Sequence, residues 1–243
     1  MNDAERAVDA LLVEAHLAAP YQLADLVGRH AATLGAQDAT LYLADLQQRV
    51  LVPFLGAGGA GIGRQVDALQ VESSLAGRAF QHVEVLTQEN DDGRVRVWLP
   101  LLDGTERLGM LGLTVEPAAA GEMPGGLLEA RLRRFAALVA ELVTTKTVYG
   151  DTIVRLRRRS EMGLAAEMQW SLLPPLTFAC SEVTVAAALE PAYAVAGTPS
   201  TTPSMPAGPG SPSSTAWDTD YAAPNSRRSQ SPRTATRAGP TGP

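Results

Sequence analysis

Apolar residues recur at helical spacing from the start of the chain, where Ala7, Leu11, Leu12 and Ala15 predict a helix over residues 3 to 18. After Pro20 the period returns with Leu23, Leu26, Val27 and Leu34, and Gly35 stands where a second helix would take its C-cap. The pattern then shortens. ATLYLADLQQRVLVPFL is two runs rich in Leu, Val, Tyr and Phe, parted by Asp45, Gln47 and Gln48, which predicts a strand hairpin. SSLAGRAFQH (Ser73 to His82) predicts a short helix, VEVL a short strand, and NDDG (Asn90 to Gly93) a turn. In RVRVWLPLL, Arg94, Arg96 and Trp98 alternate with Val95, Val97 and Leu99, the period of a strand with two unlike faces. RLGMLGLTVE (Arg107 to Glu116) follows the turn DGTE, and Gly109 and Gly112 suit a strand that another element approaches closely.

From Gly126 the helical period returns and runs to Pro174 and Pro175, about 47 residues if unbroken. Leu128, Phe135, Leu142, Tyr149 and Leu156 fall seven apart, with Leu132, Leu138, Val139 and Ile153 between them. Such a stripe predicts a homodimer through one long helix. The alternative is that its first half packs on the protein's own sheet and Gly150 breaks the helix. The cluster Arg155, Arg157, Arg158 and Arg159 is read as a solvated or acid-paired face.

Composition divides the 243 residues in two: residues 198–243 hold 9 of the 17 prolines and no Val, Ile, Leu, Phe, Lys or Glu. That tail cannot bury enough apolar surface to offset the roughly 1–2 kcal/mol per residue of backbone ordering, so it is expected to be disordered. Residues 1–197 carry 16 basic and 24 acidic side chains, a net charge of -8, which argues against a nucleic-acid partner. The N-terminus has acids where a signal peptide needs bases, and no apolar run nears the roughly 18 residues of a membrane span, so a cytoplasmic protein without membrane contact is expected. The single Cys180 and the scattered His16, His30 and His82 give no disulfide and no metal-ligand spacing. GAGGAGIG (Gly56 to Gly63) contains the G-x-G-x-x-G spacing of a dinucleotide loop, but neither the helix nor the acidic residue that the motif needs follows, and a flexible loop is the preferred reading.

The helix-sheet order of residues 1–147, ending in RVRVWLPLL, RLGMLGLTV and a long helix, resembles a GAF-type sensor domain. The resemblance implies an α+β fold, an antiparallel sheet with flanking helices. It also implies a pocket between sheet and helices for an unidentified small-molecule ligand. Tyr42 and Trp98 are the polar-tipped candidates for lining it, with ordinary packing as the alternative. No chromophore attachment point is expected, and the histidines are read as surface or capping residues rather than haem ligands.

Residues 164–197, LAAEMQWSLLPPLTFACSEVTVAAALEPAYAVAG, resemble the entry into the stage II sporulation protein E-like serine phosphatases, a bacterial branch of the 2C (PPM) type. Gln169, Leu172, Leu173 and Pro174 match the end of that family's entry helix, and Glu190, Pro191 and Ala192 its next motif. Tyr193, Val195 and Gly197 continue the match; Ala196 departs, and Thr198 replaces the first metal-binding aspartate. Read in a frame displaced by one nucleotide, the codons of Thr198 to Ser204 permit Asp-Ser-Phe-Asp-Tyr-Ala-Val. Those of Ala216 to Tyr221 admit Met-Gly-His-Gly-Leu with two positions forced, and Val-Phe-Asp-Gly fits just ahead of it. A frame change after Gly197 is therefore favoured over an authentic linker.

The organisation expected is a sensor domain over 1–147, a helical linker over 148–175, the start of a truncated phosphatase domain over 176–197 and an out-of-frame tail. The resemblance implies that the intact family hydrolyses phosphoserine or phosphothreonine with two Mg or Mn ions on aspartates. The only acids here after Glu190 are Asp218 and Asp220. No catalytic or metal residue and no cofactor is therefore expected in this chain, which is read as the regulatory region of a phosphatase without its catalyst. The alternative is a free-standing binding or dimerisation module with a genuine disordered tail.

Overall fold

The computed structural model describes residues 3–56, 66–120, 123, 125–173, 176–187 and 193. The tail from 198, the loop 57–65 and the motif residues Pro174, Glu190, Pro191, Ala192, Val195 and Gly197 lie outside the described residues. Two helices open the chain, α1 (Asp3–Leu17) and α2 (Leu23–Thr33), joined by a 3-10 turn at Pro20–Gln22. Gly35, at φ +78°, turns the chain out of α2 as its position in the sequence predicts. Six strands follow: β1 (Ala36–Ala44), β2 (Val50–Phe54), β3 (Leu69–Gln70), β4 (Leu86–Glu89), β5 (Val95–Asp103) and β6 (Glu106–Val115). They form one sheet in the order β3-β2-β1-β6-β5-β4, and every neighbouring pair is antiparallel. Helix α3 (Leu75–His82) lies between β3 and β4.

Strand alternation gives the sheet two unlike cores. Leu41, Leu43, Val97, Leu99, Leu111 and Leu113 face one side, under α2 and α5 (Leu127–Thr147), and α1 packs across those two helices. Tyr42, Leu51, Trp98 and Met110 face the other, under α3. Gly109 has a β1 backbone carbonyl 2.0 Å from where a Cβ would sit, so the close approach expected at this strand's glycines is real.

The strand expected at VEVL forms three residues later, because Val83 is taken into the C-terminal cap of α3 at φ 58°, with Glu84 N donating to Ala79 O. The unbroken helix from Gly126 does not form either. It divides into α5, α6 (Thr152–Arg157) and α7 (Leu164–Leu172), after a short α4 at Pro117–Ala120, and the first break falls at Gly150. The apolar stripe is internal to the protomer: Leu128, Leu132, Phe135, Val139, Leu142 and Ile153 all join the helix-side core, whereas Tyr149 is 70% exposed. Lys146, the only lysine, is buried and its Nζ donates to Ala18 O at 2.7 Å, tying α5 to the end of α1. A separate hairpin, β7 (Thr177–Ala179) with β8 (Thr184–Ala186), follows α7 and pairs within itself rather than with the six-stranded sheet.

Candidate functional site

The face of the sheet under α3 carries the polar-tipped side chains. Tyr42 on β1 and Trp98 on β5 project to it because both occupy the strand positions that alternate with the helix-side leucines. Their rings lie 5.6 Å apart and tilted by 58°. The Arg96 guanidinium sits over the indole at 5.0 Å, and its Nη1 donates to Asp38 O at 2.8 Å and to Thr114 Oγ1 at 3.3 Å. Gly112 makes this arrangement possible. A Cβ there would stand 2.6 Å from both Arg96 Nη2 and Trp98 Cζ3.

Helix α3 is held over this face at its start and along its length. Ser74 caps it by accepting from Gly77 N at 2.9 Å, and the same hydroxyl donates to Gln70 O at 2.6 Å. Phe80 is buried against the face, with the Arg107 guanidinium over its ring at 5.2 Å. Trp98 is only 8% exposed, yet its Nε1 has no hydrogen-bond partner among the described residues. An unmet buried donor costs about 1–3 kcal/mol, and an indole N–H normally finds an acceptor when buried.

A concavity of about 540 Å³ opens elsewhere, at the end of the sheet, between Gln47, Gln48, Thr105 and Arg107 on one side and Thr177 and Thr184 of the β7–β8 hairpin on the other. Three of the four clustered arginines pair with acids: Arg155 with Asp151, Arg157 with Glu106 and Arg158 with Glu167, as expected of an acid-paired face. Among the described residues no group of three or more His, Cys, Asp or Glu could hold a metal ion, and no helix is long and apolar enough to cross a membrane.

Tyr42 and Trp98, the two candidates legible in the sequence, come into contact on one face; both are also buried, as ordinary packing requires. Arg96, Met110 and Phe80 join them without having been expected there. The signal for Arg96 is its place in phase with Trp98 inside an apolar strand. His30 departs from its expected surface position: it is buried between α1 and α2 with Nε2 3.4 Å from Glu14 Oε2, because its helix phase is that of Leu23, Leu26 and Val27. Of the glycine-rich loop only Gly56 is described, lying against the Asp25 carboxylate.

No protein-family model matches the sequence, and no curated protein matches it. Solved structures do. The GAF domain of a phosphoenolpyruvate-protein phosphotransferase from Coxiella burnetii superposes with a TM-score of 0.50 at 16% identity, covering 61% of this chain and 96% of that one. The corresponding domain from Acinetobacter gives 0.48 at 14% identity, over 62% and 98%. The chain therefore carries a GAF fold: a six-stranded antiparallel sheet with helices on both faces, in a mixed α+β arrangement.

Proposed function

We propose that the chain is a regulatory sensor module that binds a small molecule on the α3 face of its sheet. The observation that carries this reading is the Trp98 Nε1, a buried donor without a partner among the described residues, on the indole that the Arg96 cation covers and under one eight-residue helix. A donor and a cation side by side suit a planar ligand bearing a carbonyl, carboxylate or phosphate acceptor. The test is a thermal-melt screen of the full chain against nucleotides and aromatic carboxylates. A specific ligand present at 100 times its Kd stabilises by about 2.7 kcal/mol. Trp98→Phe and Arg96→Gln should each weaken the response to such a ligand. A hit that both variants bind as well as the native chain would refute the placement.

The finer reading joins this module to a metal-dependent serine/threonine phosphatase whose catalytic part has left the frame after Gly197. Its support is the sequence motif of Gln169, Leu172 and Leu173 followed by Glu190, Pro191 and Ala192, together with the codon constraints over Ala216 to Tyr221. The Mn or Mg aspartates of the intact family have no counterpart in the sequence of this chain, so it regulates without catalysing. Sequencing the coding DNA across codon 197 tests this, and a prompt stop in the displaced frame would reject it. Manganese-dependent turnover of a phosphopeptide by the purified chain would overturn the claim of inactivity.

A further inference from the structure

Two cations from opposite parts of the fold converge on one turn. The β1–β2 turn is built by Asp45, 1% exposed, whose Oδ1 accepts from Arg49 N at 2.7 Å and Val50 N at 2.8 Å. From α6, Arg157 grips the start of this turn. Its Nε donates to Ala44 O at 2.9 Å and its own carbonyl accepts from Leu46 N at 3.1 Å. Burial lowers the pKa of this guanidinium, opposed by Glu106, 3.9 Å away, and by Asp45. Ile153, one helical turn earlier and so on the same face of α6, is 0% exposed in the helix-side core.

From β6, Arg107 grips the far end of the same turn. Its Nη2 donates to Gln48 Oε1 at 3.1 Å, where Gln48 sits in the left-handed region at φ 54°. Its Nη1 donates to Gln81 O at 3.2 Å and its guanidinium covers Phe80, both on α3. The α3 cover and the segment after α5 therefore hold the same five-residue turn from its two ends.

We infer that the β1–β2 turn is a latch plate that couples α3 to the C-terminal segment: when α3 shifts, Arg107 releases Gln48, the turn relaxes, and Arg157 lets α6 leave the sheet. Its biological use rests on the α3 face being the ligand site, but the experiment needs no ligand. A failed ligand screen would leave the coupling intact, and a failed coupling would leave the site intact.

The test is hydrogen exchange by mass spectrometry on the full chain and three variants. Arg157→Gln should raise exchange over residues 152–157 about tenfold while 127–147 keep their protection. Arg107→Gln, whose own bonds run to Gln48 and to α3, should also raise exchange over 152–157, about threefold or more, and Gln48→Ala should do the same. In the double variant Arg107→Gln with Arg157→Gln the two effects should combine to less than their product. If Arg107→Gln unfolds the domain, Gln48→Ala alone decides. Native exchange over 152–157 in Arg107→Gln and Gln48→Ala would overturn the coupling, and native exchange there in Arg157→Gln would overturn the latch itself.

Discussion

Gly77→Ala sets two effects of opposite sign against each other. Gly77 lies inside α3, where alanine is intrinsically better than glycine by about 1 kcal/mol, so propensity alone predicts stabilisation. Its packing predicts the reverse. The new Cβ would stand 2.0 Å from Val71 O and 2.5 Å from Val71 Cα, against the 3.4–4 Å of ordinary contact. These are backbone atoms, held in place because Val71 N donates to Arg49 O at 2.9 Å. Relief requires α3 to lift from the face it covers or that bond to break. Overpacking of this kind costs about 1–3 kcal/mol and an orphaned buried amide a similar amount, so about 3 kcal/mol set against 1 kcal/mol leaves a net loss of roughly 2 kcal/mol. At about 2–4 °C per kcal/mol for a domain of this size, Tm should fall by about 4–8 °C in a circular dichroism melt. Gly28→Ala is the control: it lies within α2 with nothing within 4 Å of the added carbon, and should raise Tm by about 2–4 °C. A neutral or stabilising Gly77→Ala would refute the packing of α3 on Val71.

Ile153→Ala should destabilise by about 2–5 kcal/mol in urea unfolding, because its side chain is wholly buried where α6 meets α5 and the sheet. Asp45→Ala should cost about 2–4 kcal/mol by the same measurement, since two amides of the β1–β2 turn lose their acceptor. The Glu129 carboxylate is held below its ordinary pKa by the Gly125 N–H and by Arg133. A depressed folded-state pKa contributes stability that is complete above the unfolded value and is lost as pH falls through the folded one. The stability difference between native protein and Glu129→Gln should therefore be constant near neutrality and shrink below about pH 4.5, followed by urea midpoint against pH.

Much of the fold is legible in local pattern. The two opening helices, the β1–β2 hairpin, α3 and the long strands follow from the 3.6 and 2.0 periods of apolar residues, because each such stripe must be covered by something. The same alternation puts Tyr42, Arg96 and Trp98 on faces of their own, which is why two of the three stand out in the sequence itself. Periodicity does not say what covers a stripe. The heptad from Leu128 to Leu142 suits a second helix or a sheet equally well, and the partner is the protein's own β5, with Gly150 ending the run.

What the sequence by itself determined is therefore the set of elements, the two-faced strands and the break in composition after Gly197, all of them properties of neighbours in the chain. What only the tertiary structure decided is what those elements meet. The indole of Trp98 is left without an acceptor among the described residues, Gly109 and Gly112 are kept small by atoms of neighbouring strands, and Arg107 and Arg157 meet on one turn although separated by 50 positions. Such contacts depend on strand order and helix packing, and no local spacing encodes them.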